Sequence, residues 1–300
     1  MISLAGWGLV CALGDDAAAV AEALAAGATG LSEHPPLARM PGPDVAGVVR
    51  SLDLRRWLKR RKDQKLMARP SQLLLPAAGV ALGDWPGERL ELGLFVGVGR
   101  EPPDEGDSQA ALVASARDGA LDDELLAGPG RDRYPPLLPL QTLPNMALAH
   151  VSIHLDIGGE NGAWAGGAAA GLRAMVAGIQ AVAEGRCPAA LVGASDAQAD
   201  RGSQRDRLRL GLGTPPGEGA AAALLVPDDG PVRVAALAPA DAAAAARSPG
   251  HHAGLGDCGA GDGLIAVVLA AARVAAGHGP QVVAFADPGQ PAVGVRLSPS

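Results

Sequence analysis

Residues 161–185 read NGAWAGGAAAGLRAMVAGIQAVAEG. A short strand runs into a tight Gly/Ala turn, and the turn opens a long apolar helix. That order places Ala168 at a helix N-terminus, where backbone N–H groups and the macrodipole favour a developing negative charge. An enzyme that needs an activated thiolate puts a cysteine at such a place. This chain has alanine, so the setting for a nucleophile is present and the nucleophile is not.

Outward from this elbow, strand-like and helix-like segments alternate. Residues 2–9 read as a buried strand, and Asp15-Asp16 then start an Ala-rich helix that stops at Gly27. Residues 35–50 form a Pro-rich loop, residues 52–69 carry a basic cluster, and Ser71–Leu82 is an apolar helix. ELGLFVGVG (91–99) is a second buried strand. Residues 101–109 read as an acidic loop, and 128–144, with five prolines, as irregular. A helix over MALAHVSIHL ends before Gly158, and AALVGASDA (189–197) is a strand. Residues 198–217 read as a polar surface loop, and the segments 217–229 and 231–240 as a hairpin. After an Ala-rich, then Gly/His-rich stretch comes a helix over 261–276 and two last strands at 281–286 and 292–297. The alternation implies α/β layers with mostly parallel strands covered by helices.

Bulk properties limit the partners. The chain has 300 residues, 48% hydrophobic and only 2% aromatic, so the core is built from Ala, Val and Leu. A net charge of −7 argues against nucleic acid as a main partner. The opening MISLAGWGLVCALG lacks a basic region before its apolar stretch and reads as strand and turn. No membrane span is expected. Three widely spaced cysteines, Cys11, Cys187 and Cys258, with no CxxC, fit free thiols in a reducing cytoplasm.

Five segments, in order, resemble the β-ketoacyl synthase family of the thiolase-like fold. GWGLVCALGDD (6–16) is similar to its G-x-G-x-x-[ST]-x-x-G-[DN] opening, and LFVGVG (94–99) to its V-G-[TS]-G strand. LPNMALAHVSIHLDIGGENGAW (143–164) resembles its P-N-x-x-A-x-x-[IV]-[AS] helix and nucleophile strand. GAAAGLRAMVAGIQAVAEGRCPAALVGASDA (167–197) resembles its elbow, nucleophile helix and following strand. GEGAAAALLVPDDG (217–230) matches its G-E-G-A-A-x-[LV]-[LV]-[LV] segment closely. The resemblance implies a layered αβαβα unit over residues 1–300, made of two duplicated halves (1–200 and an abbreviated 201–300). It also implies a dimer formed through the strand near 162–166.

The departures decide the functional expectation. Counting back from Gly171 to the family's T-A-C-A-S-G places Ala168 at the catalytic cysteine. The family's H-G-T-G-T is absent, and its G-H-x-x-G-A-A-G best matches GDCGAGDG (256–263), with Asp257 in place of histidine and one residue missing. Its G-F-G-G-T-N turn has only a loose echo in FADPGQPAVGV (285–295). Methyl cannot attack a thioester. The resemblance therefore implies a non-catalytic subunit like the chain-length factors of polyketide and aryl-polyene systems. Such a subunit pairs with an active ketosynthase or with itself, and needs no cofactor.

Two alternatives remain open. Cys258 lies near His251 and His252, so a relocated Cys/His pair could make an active condensing enzyme or acyltransferase. The chain could also be a binding module that recognises acyl carrier protein alone. The segment RRWLKRRKDQK (55–65) holds seven basic residues, Arg55, Arg56, Lys59, Arg60, Arg61, Lys62 and Lys65. It reads either as a solvated face or, since acyl carrier proteins are acidic, as their docking patch. His150 and His154 are spaced i, i+4 on one helix face, with no acidic third ligand except Asp156 nearby, and a structural role is expected for them in place of metal binding.

Overall fold

The computed structural model describes residues 1–99, 105–247 and 249–300. Its strands are β1 (Ile2–Val10), β2 (Gly93–Val98), β3 (Asn161–Ala165), β4 (Ala190–Ala197), β5 (Glu218–Pro227), β6 (Val232–Ala236), β7 (Gln281–Phe285) and β8 (Val293–Pro299). They join in one curled sheet in the order β7-β8-β6-β1-β5-β4-β2-β3. The main helices are α1 (Ala17–Ala25), α2 (Arg69–Leu82), α3 (Glu105–Ala114), α4 (Met146–Leu155), α5 (Ala170–Ala183), α6 (Arg201–Arg209) and α7 (Asp262–Ala275).

The order contains a repeat. β1, β5 and β4 lie side by side with α5 leading into β4, and β6, β8 and β7 lie side by side with α7 leading into β7. The first copy continues through β2 and β3. The second stops at β7, which makes it the shorter one. The copies join where β1 and β6 pair, Ile2 opposite Val234 and Leu4 opposite Val232.

Five layers follow from the curl. α2 and α4 cover one face of the first copy, over Leu94, Val96, Leu191, Ala222 and Leu224. α5 and α7 lie on its other face, over Phe95, Val192, Ala223 and Leu225. Both helices also touch the second copy, α5 at β8 and α7 at β7 and β8, so the sheet wraps around them. The short helix Pro239–Ala245 packs on β7 and β8 from outside. This is the expected αβαβα arrangement with a thin fifth layer.

Several expectations need correction. The sheet is mixed: among the described residues only β2–β3 and β2–β4 pair in parallel, and its other pairings are antiparallel. The signal misleads because antiparallel strands such as β5 are buried on both faces here and so read as unbroken apolar runs. Segments 217–229 and 231–240 do not form a hairpin. β1 lies between them, with Leu4 opposite Leu225 on one side and Val232 on the other. The chain crosses tightly over β1 at Gly230, where a Cβ would come within 2.3 Å of the Leu4 carbonyl. The 198–217 loop contains α6, capped by the Asp200 side chain accepting from Ser203 N. Of the acidic 101–109 loop, residues 101–104 lie outside the described residues and the remainder opens α3. The irregular 128–144 region holds short helical turns, Leu126–Gly130, Arg131–Arg133 and Leu138–Thr142. No helix among the described residues is long and apolar enough to cross a membrane.

Candidate functional site

The elbow is built as the sequence implies. β3 ends at Ala165, residues 166–169 turn, and α5 begins at Ala170. Ala168 sits half-buried in that turn, directly before the start of α5. The free N–H groups of the helix start do not go unanswered. Ala169 N donates to Asp287 Oδ1 at 3.1 Å, and Arg173 on the first turn of α5 meets Asp287 Oδ2 at 3.7 Å. Asp287 comes from the loop between β7 and β8, 118 residues away, and its side chain is 13% exposed. A Cβ at Gly167 would lie 2.8 Å from its Oδ1, so this position stays small to admit the carboxylate. The anion-favouring end of α5 is therefore filled by the protein's own acid. Sequence reading missed Asp287. The signal was its place in FADPGQPAVGV, the segment that echoes the family's site-lining turn.

α7 begins beside α5, with Gly171 and Gly263 at the crossing. A Cβ on Gly263 would lie 2.5 Å from the Ala168 carbonyl oxygen, and one on Gly171 3.1 Å from Leu264 N. Two positive helix ends thus meet within a few ångströms, and α7 carries its own acid, the fully buried Asp262. His251 Nε2 meets Asp262 Oδ1 at 2.8 Å, His252 Nε2 meets Oδ2 at 2.7 Å, and Cys258 N donates to Oδ1 at 3.1 Å. Burial works to raise the Asp262 pKa, but the hydrogen bonds and charges of both imidazoles hold it at about 2. For His252, burial works to lower the pKa, and the hydrogen bond and charge of Asp262 outweigh it and raise it.

The structure brings Cys258, His251 and His252 together but not as a nucleophile and base. Cys258 is completely buried, and burial, followed by the charge of Asp262, pushes its thiol well above the ordinary range. Its Sγ faces the Gly256 carbonyl at 3.7 Å, while both Nε2 atoms are committed to Asp262. Cys11 is likewise buried and pushed up to about 11, and burial raises Cys187.

Asp257 is ion-paired to Arg207 and accepts from Gly259 N at 2.9 Å. Arg207, from α6, is 3% exposed and also donates to Gln198 Oε1 and to both oxygens of Thr214. Beside them lies Asp196, fully buried, accepting from Ala197 N, Gln198 Nε2 and Ala260 N. Burial raises its pKa to about 6 against those hydrogen bonds. The glutamate of GEGAAAALLV, Glu218, is buried and structural: it accepts from Arg69 and from Val49 N.

All seven basic residues of 55–65 are exposed. The segment is a turn followed by a 3₁₀ helix, Arg61–Leu66. Lys59 pairs with Asp156, Arg60 with Asp63 at 3.1 Å, and Arg56 stacks over Trp57 at 4.3 Å. Arg61, Lys62 and Lys65, with Gln64 and Gln72, line an open groove of about 680 Å³. His150 and His154 hold this segment down. His150 Nε2 bonds to the Leu66 carbonyl at 3.2 Å, His154 Nδ1 accepts from Lys59 N at 3.3 Å, and the rings stack 6.0 Å apart. Burial lowers both pKa values, so the pair is a neutral support beneath the cations.

A mixed sheet and its shorter antiparallel copy, wrapped around a buried pair of helices, define the thiolase-like fold. Within it, the family model described as Beta-ketoacyl synthase, N-terminal domain, matches residues 1–237, and the chain belongs to that family. No curated protein sequence matches it. Among solved structures, the ishigamide ketosynthase/chain length factor is similar over 99% of both chains at 20% identity, with a TM-score of 0.68. The type II polyketide ketosynthase complex AntDE:AntF with its acyl-carrier protein is similar over 100% of this chain and 99% of that one, at 13% identity and a TM-score of 0.74. The ketosynthase ApeO with its chain length factor ApeC from Xenorhabdus doucetiae is similar over 100% and 98%, at 16% identity and a TM-score of 0.70.

Proposed function

We propose that this chain is a non-catalytic ketosynthase-like subunit of a fatty-acid or polyketide system, of the aryl-polyene type among others. It pairs with an active ketosynthase and docks acyl carrier protein. The observation that carries this reading is the elbow. A methyl stands at the nucleophile position, and the carboxylate of Asp287 occupies the helix end that would stabilise an acyl-transfer intermediate. The site neither attacks nor accepts a negative centre.

The partner surface is β3. It is the last strand of the sheet, its outer edge has no neighbour among the described residues, and its side chains alternate between exposed and half-buried. An unpaired edge is a template for another strand, here from a ketosynthase or a second copy of this chain. The Arg61–Lys65 groove suits the acidic carrier, because its cations stand apart from the protein's overall negative charge. The chain acts as one unit, its second sheet copy, from β6 onward, abbreviated, in the cytoplasm and without a cofactor.

The test is a tagged pull-down from the native host, with intact-mass measurement of each cysteine. A one-to-one complex with a ketosynthase and three unmodified thiols is the expected result. A homodimer carrying an acyl group on Cys258 would overturn the reading and make the chain an acyltransferase.

A further inference from the structure

His251, His252 and Asp262 make the one group of three or more metal-capable side chains among the described residues whose donor atoms all lie within 4.8 Å of one another. We propose that these three residues form a binding site for a single divalent transition-metal ion of the zinc type. The inference depends only on this cluster and not on how the elbow is used.

The donor geometry is close to what such an ion requires. Zinc bonds imidazole nitrogen and carboxylate oxygen at about 2.0–2.2 Å, which sets neighbouring donors roughly 3 Å apart. Here the two nitrogen-to-oxygen separations are 2.8 and 2.7 Å, each imidazole facing a different oxygen of the same carboxylate. Two imidazole nitrogens and one carboxylate, all within 4.8 Å of one another, are thus near enough to share one ion. The two rings stand perpendicular, at 89°, with centroids 5.4 Å apart.

The surroundings favour binding over chance proximity. The Asp262 and His251 side chains are 0% and 4% exposed, which fixes both, while His252 at 17% leaves a way in. Asp257 lies with an oxygen 4.0 Å from His252 Nε2. Its carboxylate is occupied by Arg207 and Gly259 N, so it does not serve as a ligand. Imidazole nitrogens select zinc, cobalt and nickel over magnesium and calcium. For the metal–nitrogen bonds to form, each Nε2 must be free of its proton, which a neutral ring moves to Nδ1 by way of solvent and an imidazolium releases to solvent. The ion would tie the short helix His252–Leu255 to the start of α7, and so pin the loop that carries Asp257 and Cys258.

Tag-free, chelator-stripped protein titrated with zinc by calorimetry, and with cobalt by visible absorption, decides the matter. The expected result is one equivalent bound, with cobalt ligand-field bands and a zinc-dependent rise in melting temperature. His252→Ala, at the least buried of the three positions, should weaken binding by about 10–100-fold and abolish the bands. His154→Ala, in the other histidine pair, should change neither. Less than one equivalent on the wild-type protein, or His252→Ala binding as the wild type does, would overturn the proposal.

Discussion

α5 and α7 are equivalent helices of the two sheet copies, each of 14 residues, and each meets a carboxylate at its start in a different way. α5 has no acid in its own first turn and receives Asp287 from a distant loop, with one N–H contact and a long bridge to Arg173. α7 supplies Asp262 itself and closes it in with two imidazoles and a backbone N–H. The two ends abut at Gly171 and Gly263, so their dipoles repel unless each holds a negative charge. The difference teaches where the protein is fixed and where it is merely filled. The α7 end is closed by a network of its own neighbours, and the α5 end is filled by a single carboxylate from a distant loop.

Removing the sealed acid should have the largest effect. Asp262→Ala strands three donors, His251 Nε2 and Cys258 N buried and His252 Nε2 half-buried. At 1–3 kcal/mol for each unsatisfied group, the loss should be roughly 4 kcal/mol. Urea denaturation should show the midpoint falling sharply. A loss no larger than that of Asp287→Ala would erase the contrast between the two ends.

The second effect depends on pH. Asp196 holds its proton up to about pH 6, against an ordinary value of 3.8 for an unfolded aspartate. Between those values the folded state binds more protons, so stability falls as pH rises from about 4 to about 6, and the penalty is complete above that. The span corresponds to at most about 3 kcal/mol. Comparing urea midpoints of wild type and Asp196→Asn at pH 4.5 and 7.5 isolates it, and parallel pH dependences in the two proteins would refute the assignment.

The crossing itself gives a third, smaller effect. Gly263→Ala places a methyl 2.5 Å from the Ala168 carbonyl, and the helices must separate. The expected cost is about 2 kcal/mol, read again by urea denaturation. An unchanged midpoint would mean that the two helix ends are not in firm contact.

These residues also mark how far the sequence could be read. The elbow, Ala168 and the buried strands were legible, because a strand–turn–helix pattern is local and the Gly spacing records close approach. Asp287 was not, since only a loose family echo in its loop, and no local pattern, signals that it folds back over a helix start 118 residues earlier. Arg207 was hidden for a related reason. RGSQRDRLR is so polar that it reads as loop, yet it is a helix whose one buried cation is neutralised by Asp257, fifty residues on. The parallel strands and the hairpin were misread because burial on both faces erases the alternation that separates sheet types, and because β1 pairs with both β5 and β6.

The smallest stability effect belongs to the plug, and it is the one that tests the idea of a vacated centre. Asp287→Ala removes one hydrogen bond and a charge from the end of α5, which should cost about 1 kcal/mol. Its chemical effect is separable. In Ala168→Cys the new thiol sits at a helix start that favours the thiolate, but the neighbouring Asp287 carboxylate opposes it. Adding Asp287→Ala lifts the opposition, so alkylation by iodoacetamide near neutral pH should quicken about threefold for each unit that the thiol pKa falls toward the ambient pH. Arg173 then remains beside the site without its partner and favours the thiolate further. Equal alkylation rates in the single and double variants would show that Asp287 does not control the elbow, and the distinction between a sealed end and a filled one would fail.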